Sequence, residues 1–244
     1  MRFPFPTEVF NDAEALARGA ARHFVDAVRE APGEAIAVAL AGGSTPKRMY
    51  ELLADELAGE VPWERVHWFF GDERFVPPDS AESNFRMASE ALFARAPVPV
   101  ANLHPVLTVG SSLEEAARLY ARELARFHGS GRLEPGRPLF ALVLLGLGPD
   151  GHTASLFPGQ RSLDETERWV VGVPEAGVPP FVPRITLTLP ALGSSAKTLF
   201  LVAGAGKRPV LERIAAGERL PAARVTGETP PLWLLDRAAA EGLA

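Results

Sequence analysis

Phe140-Ala141-Leu142-Val143-Leu144-Leu145 is the most apolar run in the chain, and Gly146-Leu147-Gly148-Pro149-Asp150-Gly151-His152 follows it without a break. A run with no polar face reads as a strand covered on both sides, at the centre of a parallel sheet. Working outward, further strands are predicted at Ala35–Ala41, Val66–Phe70, Trp169–Val173, Arg184–Leu189, Thr198–Val202 and Leu232–Leu235. The run Arg184-Ile185-Thr186-Leu187-Thr188-Leu189 alternates polar and apolar residues, so one face of that strand is expected in solvent.

Helical spacing falls between the strands. A helix capped by Asn11 or Asp12 runs to about Ala31, where Pro32-Gly33 stops it. Others are expected at Lys47–Leu57, with Pro46 suited to the first turn, and at Phe85–Phe93. A helix over Ser112–Phe127 has a Ser–Glu capping box at its start, and one more runs from the Gly204-Ala205-Gly206 turn to about Ala216. Strands alternating with helices define an α/β protein, an open and mostly parallel sheet with helices on both faces. No repeat is visible, and the proline-rich stretch Pro174–Pro183 reads as a loop inside one domain spanning 1–244.

Composition narrows the chemistry. The 244 residues carry 30 acidic and 25 basic side chains, a formal charge of −5, which argues against a nucleic-acid coat built on many phosphate contacts. There is no cysteine, so disulfides, iron–sulfur clusters, cysteine-bound zinc and a thiol nucleophile are excluded. No His-Glu-x-x-His or clustered carboxylate motif offers a metal site. The first residues do not read as a signal peptide, and no stretch has the roughly 18 apolar residues of a membrane span. The expectation is a cytoplasmic protein with no cofactor, no nucleic acid or membrane partner and no obligatory protein partner.

Ligands of open parallel sheets bind beyond the carboxyl ends of the strands. Four predicted strands end in loops suited to this: Gly42-Gly43-Ser44-Thr45, Gly71-Asp72-Glu73-Arg74, Gly146 to His152, and Gly204-Ala205-Gly206-Lys207. Glycines let backbone N–H groups approach a ligand, and a helix N-terminus favours an anion. Gly146-x-Gly148-x-x-Gly151 spells the dinucleotide fingerprint, but Pro149 and Asp150 sit inside it and Pro158-Gly159 interrupts the stretch beyond, so a nicotinamide cofactor is not expected. The Gly42-Gly43 turn is neither a phosphate-binding P-loop nor a hydrolase elbow.

His152 is the best general base, with a pKa suited to neutral pH and Asp150 two residues away to orient it. Ser44 and Thr45 read most simply as a helix cap, a position that also suits phosphate. Arg74 and Lys207 bring cations to glycine turns, and Lys207 at a helix start is unfavourable unless an anion shares the site. His23, His67, His104 and His128 read as surface or helix-face residues.

Together, Leu40 to Pro46, Gly71-Asp72-Glu73-Arg74-Phe75-Val76-Pro77, Ser83-Asn84-Phe85, the block from Gly146 through His152-Thr153-Ala154-Ser155-Leu156-Phe157 to Pro158-Gly159, and Arg184 to Thr188 resemble the 6-phosphogluconolactonase family. The resemblance runs from about residue 35 to 236; the segment after Leu189-Pro190 departs from it, lacking an Asn-Ala often found there. It implies a Rossmann-like fold of the glucosamine-6-phosphate deaminase/6-phosphogluconolactonase type. It also implies metal-free hydrolysis of the phosphosugar lactone 6-phospho-glucono-1,5-lactone, in the oxidative pentose phosphate pathway. Carried onto this chain, His152 activates water, and Asp150 and Asp72 orient groups or bind sugar hydroxyls. Arg74, Arg184 and Lys207 hold the phosphate beside the turn Gly42, Gly43, Ser44 and Thr45.

Two other readings compete. The related deaminase-isomerases resemble Asp-Gly-His-Ile-Ala-Phe-Asn-Glu in the histidine loop, where this chain has Phe157 in place of the glutamate. A non-catalytic sugar-phosphate sensor would add a helix-turn-helix module, and the chain before Ala35 is short for one and not basic.

Overall fold

The computed structural model describes residues 3–243; Met1, Arg2 and Ala244, the outer bounds of the expected domain, lie outside the described residues. The strands are β1 (Thr7–Phe10), β2 (Ile36–Leu40), β3 (Val66–Phe70), β4 (Asp72–Arg74), β5 (Phe140–Leu145), β6 (Val170–Val173), β7 (Arg184–Leu187), β8 (Ser195–Val202) and β9 (Leu232–Asp236). The α-helices are α1 (Ala13–Glu30), α2 (Ser44–Asp55), α3 (Asn84–Ala88), α4 (Leu113–His128), α5 (Leu189–Gly193), α6 (Arg208–Ala215) and α7 (Arg237–Ala240).

Six strands form a parallel sheet in the order β1-β9-β8-β5-β2-β3. β5 lies between β2 and β8, which explains its unbroken apolarity. Its Leu142 and Leu144 pack with α1 and α2, while Phe140, Val143 and Leu145 face the core shared with α4 and α6. The chain steps from β2 outward to β3, then returns to β5 on the other side and continues outward through β8 and β9. The direction of winding therefore reverses between β2 and β5, and the crevice for a ligand opens there.

A second, three-stranded antiparallel sheet, β4-β7-β6, is the main departure from the expected architecture. Asp72–Arg74, expected as a loop, is a strand because it pairs with β7, a partner far along the chain. The predicted solvent face of β7 is also corrected. Arg184, Ile185, Thr186 and Leu187 are all buried, and the polar face of the strand meets the histidine loop and a cleft rather than open solvent.

Smaller differences have local causes. β1 is a further strand: its four residues, Thr7-Glu8-Val9-Phe10, are short and largely exposed, and they form a strand by docking on β9. Gly43, with φ of 106°, is the N-cap of α2 and no side chain caps it, so Ser44 and Thr45 are helical residues rather than the cap. Ser112 does cap α4 by accepting from the Glu115 N–H, but the Glu115 carboxylate turns to Arg118, leaving half a capping box. The helix expected over Phe85–Phe93 is α3 followed by a π-helical turn at Ser89–Phe93. The segment that departs from the family pattern forms α5, whose Ala191 and Leu192 are core residues.

Candidate active site

A cleft of about 370 Å³ lies over the carboxyl ends of β2 and β5, within the range usual for small-molecule sites. Of the residues singled out from the sequence, Gly42, Gly43, Asp72, Arg74, His152, Arg184 and Lys207 line it. Asp150 stands behind His152. Ser44 and Thr45 do not line the cleft: α2 begins at Ser44, and the turn meets the cleft through the two glycines instead.

Buried tyrosines anchor two of the loops. At the end of β2 the Tyr50 hydroxyl accepts from the Ala41 N–H at 3.0 Å and donates to the Ala41 carbonyl at 2.9 Å. At the end of β3, Tyr120 does the same to Phe70, at 2.6 and 3.1 Å. Burial pushes both phenols far above their ordinary range, so each stays a neutral donor and acceptor. These are the only tyrosines in the chain. Each satisfies backbone groups where the ladder ends.

The histidine loop is closed on itself. Gly148 N–H donates to the His152 carbonyl at 2.8 Å, and Thr153 Oγ1 donates to the Gly146 carbonyl at 2.9 Å. The Asp150 carboxylate accepts from the His152 backbone N–H at 3.1 Å, and its Oδ1 lies 2.5 Å from His152 Nδ1. A carboxylate can only accept, so Nδ1 carries the proton and Nε2 is left as the basic nitrogen. Nε2 has no hydrogen-bond partner among the described residues. The ring rests on Phe157, 4.7 Å between centroids, and passes so close to Gly148 that a Cβ there would lie 2.0 Å from Nδ1. That contact, rather than a pyrophosphate, explains this glycine.

Strand pairing sorts the charged run Asp72-Glu73-Arg74. Alternate residues of a strand face opposite sides, so Asp72 and Arg74 share the cleft face, and Glu73 points away. The register sets Asp72 opposite Thr186 and Arg74 opposite Arg184. Glu73 is buried and accepts from the N–H groups of Arg74, Asn84 and Phe85 and from the Ser83 hydroxyl. Burial pushes its carboxyl up, against those donors. Its task is to fix the start of α3.

Three cations, Arg74, Arg184 and Lys207, line the cleft. Arg74 and Arg184 stand directly opposite across antiparallel strands, where like charges destabilise. Arg184 is 4% exposed; burial holds its guanidinium below the ordinary range, and Arg74 pushes the same way against Asp72. Its partners are the carbonyls of Pro180 and Val182. Arg74 donates to the Glu82 carbonyl, and its buried Nε has no partner among the described residues. Lys207 donates to the Leu147 carbonyl at 2.5 Å, and burial lowers its pKa too, against the pull of Asp150. Among the described residues none of the three forms a salt bridge. Asp236 holds the Lys207 loop by accepting the Gly204 N–H on both carboxylate oxygens, each at 3.0 Å.

Two polar side chains that were not expected to matter, Asn84 and Ser155, converge on Asp72. Both belong to the motifs quoted above, but nothing in their spacing announces the contact. Of the remaining histidines, His128 is a helix-face residue of α4 as expected, whereas His67, on β3, and His104, in a loop, depart from the surface or helix-face reading. His104 and His128 are buried, and His104 bridges His67 and Glu123. His23 is on the surface beside Glu8. Among the described residues no helix is long and apolar enough to cross a membrane, and no group of three or more histidines and carboxylates is placed to hold a metal ion.

An open parallel sheet, with a cleft at its winding reversal lined by three cations and one oriented histidine, defines the α/β class of the protein. The family described as glucosamine-6-phosphate isomerases/6-phosphogluconolactonase matches residues 11–233, and the chain belongs to it. A 6-phosphogluconolactonase from Synechocystis sp. is 42% identical over 211 residues, 84% of each chain. The solved 6-phosphogluconolactonase from Trypanosoma cruzi superposes with a TM-score of 0.87 at 32% identity, covering 100% of this chain and 98% of that one. A monomeric glucosamine-6-phosphate deaminase, 21% identical with a TM-score of 0.79 over 96% of this chain and 98% of its own, shares the fold. Within the family the chain groups with enzymes of the 6-phosphogluconolactonase type.

Proposed function

We propose that the chain hydrolyses 6-phospho-D-glucono-1,5-lactone to 6-phospho-D-gluconate, in the oxidative pentose phosphate pathway, with His152 as general base. The observation that carries this reading is one cleft holding both an oriented imidazole with an unpartnered Nε2 and three cations without carboxylate partners. The phosphate sits among Arg74, Arg184 and Lys207, with the Gly42-Gly43 backbone beside it. Its charge relieves the opposition of the two arginines and fits a lysine at the start of α6. Ser44 and Thr45 take no side-chain part.

With the phosphate fixed, the lactone carbonyl lies in reach of a water held by His152 Nε2. The imidazole takes a proton as that water attacks the carbonyl carbon, and Asp150 stabilises the imidazolium that forms. The tetrahedral intermediate then expels the ring oxygen, which takes the proton back from His152, and the lactone ring opens to a hydroxyl and a carboxylic acid that releases its proton to solvent. Asp72 accepts a hydroxyl of the sugar. Positioning combined with one base contributing about 10²–10⁴-fold is enough for a lactone, so no covalent nucleophile is required.

Deamination of glucosamine-6-phosphate is disfavoured by Phe157, buried beneath the His152 ring where that reaction's glutamate would stand. The test is a lactone-hydrolysis assay with the substrate generated by oxidation of glucose-6-phosphate, a chelator present and glucosamine-6-phosphate as control. Accelerated loss of the lactone with no action on the amino sugar is expected. Activity on the amino sugar alone would refute the proposal.

A further inference from the structure

Asp72 is 8% exposed, and its carboxylate is gripped from two sides. Ser155 Oγ donates to Oδ2 at 2.5 Å. Asn84 Nδ2 donates to the Asp72 carbonyl at 2.9 Å and lies 3.3 Å from Oδ1. Both donors are themselves buried, at 0% and 2% exposure, and each is delivered by unusual local structure.

Ser155 reaches Asp72 because Ala154 before it adopts φ of 48°, the one non-glycine residue among those described with a positive φ. That conformation is uncommon for alanine and persists only where surrounding contacts over-determine it. Here they do: Thr153 is tied to Gly146, and the Ser155 N–H donates to Thr186 Oγ1 at 3.1 Å. Asn84 is held in turn by Glu73, which accepts its backbone N–H at 2.8 Å. The Asn84 amide lies so close to Gly42 that a Cβ on that glycine would fall 2.1 Å from Oδ1. The Asp72 grip thus connects the β2 loop, the β4 strand, the start of α3 and the histidine loop.

We infer that Ser155 and Asn84 are positioning residues for Asp72, fixing its carboxylate in one rotamer so that its free lone pairs meet a ring hydroxyl of the bound phosphosugar. This rests on the lactonase reading and adds to it two residues that hold Asp72: Ser155, which does not line the cleft, and Asn84, which also borders it. A serine and an asparagine amide can donate without bringing charge, so the carboxylate remains the acceptor facing the cleft. Hydroxyl binding of this kind is made in ground state and transition state alike, so its loss appears in KM.

The test is a double-mutant cycle between Ser155→Ala and Asp72→Ala, read as KM and kcat for the lactone and as the Kd for 6-phosphogluconate by calorimetry. With Asp72 present, Ser155→Ala is expected to raise KM and Kd about tenfold and to leave kcat within about threefold. In the Asp72→Ala background the same change is expected to alter Kd by less than about twofold. An equal loss in both backgrounds would show that Ser155 merely packs and would overturn the inference, as would a loss confined to kcat. Asn84→Ala provides the same cycle from the other side and decides the matter if Ser155→Ala does not fold. If the unaltered protein does not hydrolyse the lactone, the functional reading falls. If it does and both cycles are additive, only the positioning role falls.

Discussion

His152 and His104 each hold a ring nitrogen against a carboxylate, at 2.5 Å to Asp150 and 2.7 Å to Glu123. By that contact alone the two are equivalent. Their second nitrogens differ. Nε2 of His152 is unpartnered beside a cleft lined by three cations, whereas Nε2 of His104 lies 2.9 Å from Nδ1 of His67. The His104 ring is also sealed, stacked 4.2 Å from Phe69 and bordered by Phe127. None of His67, His104 and Glu123 lines the cleft. A histidine–carboxylate pair therefore does not by itself distinguish a general base; in the proposed mechanism the distinguishing feature is a basic nitrogen left open to the cleft.

The contrast can be broken at Gly148. In Gly148→Ala the new Cβ drives the His152 ring from its place and off Asp150. Turnover of the lactone should fall about 10²-fold, as expected for misplacing a reacting group by about 1 Å, with little change in thermal midpoint. Retained turnover would mean that the orientation of His152 is unimportant. Lys207→Ala should act differently, raising KM about tenfold while kcat changes little, because it removes binding common to ground and transition states. A fall in kcat alone would remove Lys207 from the phosphate site.

The sealed pair should answer to stability instead. His104→Phe leaves His67 without its partner and should cost about 1–2 kcal/mol, a lowering of Tm by a few degrees, with kcat/KM unchanged. Burial holds both His67 and His104 below the ordinary imidazole range, with Arg126 pushing the same way and Glu123 opposing it at His104. The folded state thus favours neutral rings, and unfolding takes up protons below about pH 6.5. Their contribution is complete above that pH and is lost as pH falls through the lowered folded values. Tm should drop between about pH 7.5 and 5.5, and less so in a His67→Phe/His104→Phe variant; an identical drop would place the acid sensitivity elsewhere.

How much of this was legible follows from where the determining contacts lie. Phe140–Leu145 announces its place because burial on both faces is written into six adjacent residues. The glycine loops are legible for a similar reason, since their backbone demands are local. The small sheet is not: Asp72-Glu73-Arg74 is short and charged, and only pairing with β7 makes it a strand. The alternation of Arg184, Ile185, Thr186 and Leu187 predicts a solvent face that the structure does not have, because periodicity does not say whether a polar face meets water or a cleft. Ser44 and Thr45 are next to glycines that do reach the cleft, but their own side chains belong to the first turn of α2. His104 escaped because its partners come from β3 and α4, elements that a lone histidine in a loop does not reveal.

The most direct test of the account is turnover by His152→Ala measured beside its affinity for 6-phosphogluconate. A loss of about 10²–10⁴-fold in kcat is expected, with the product Kd within about threefold of the unaltered protein. Undiminished hydrolysis of the lactone by that variant would contradict it.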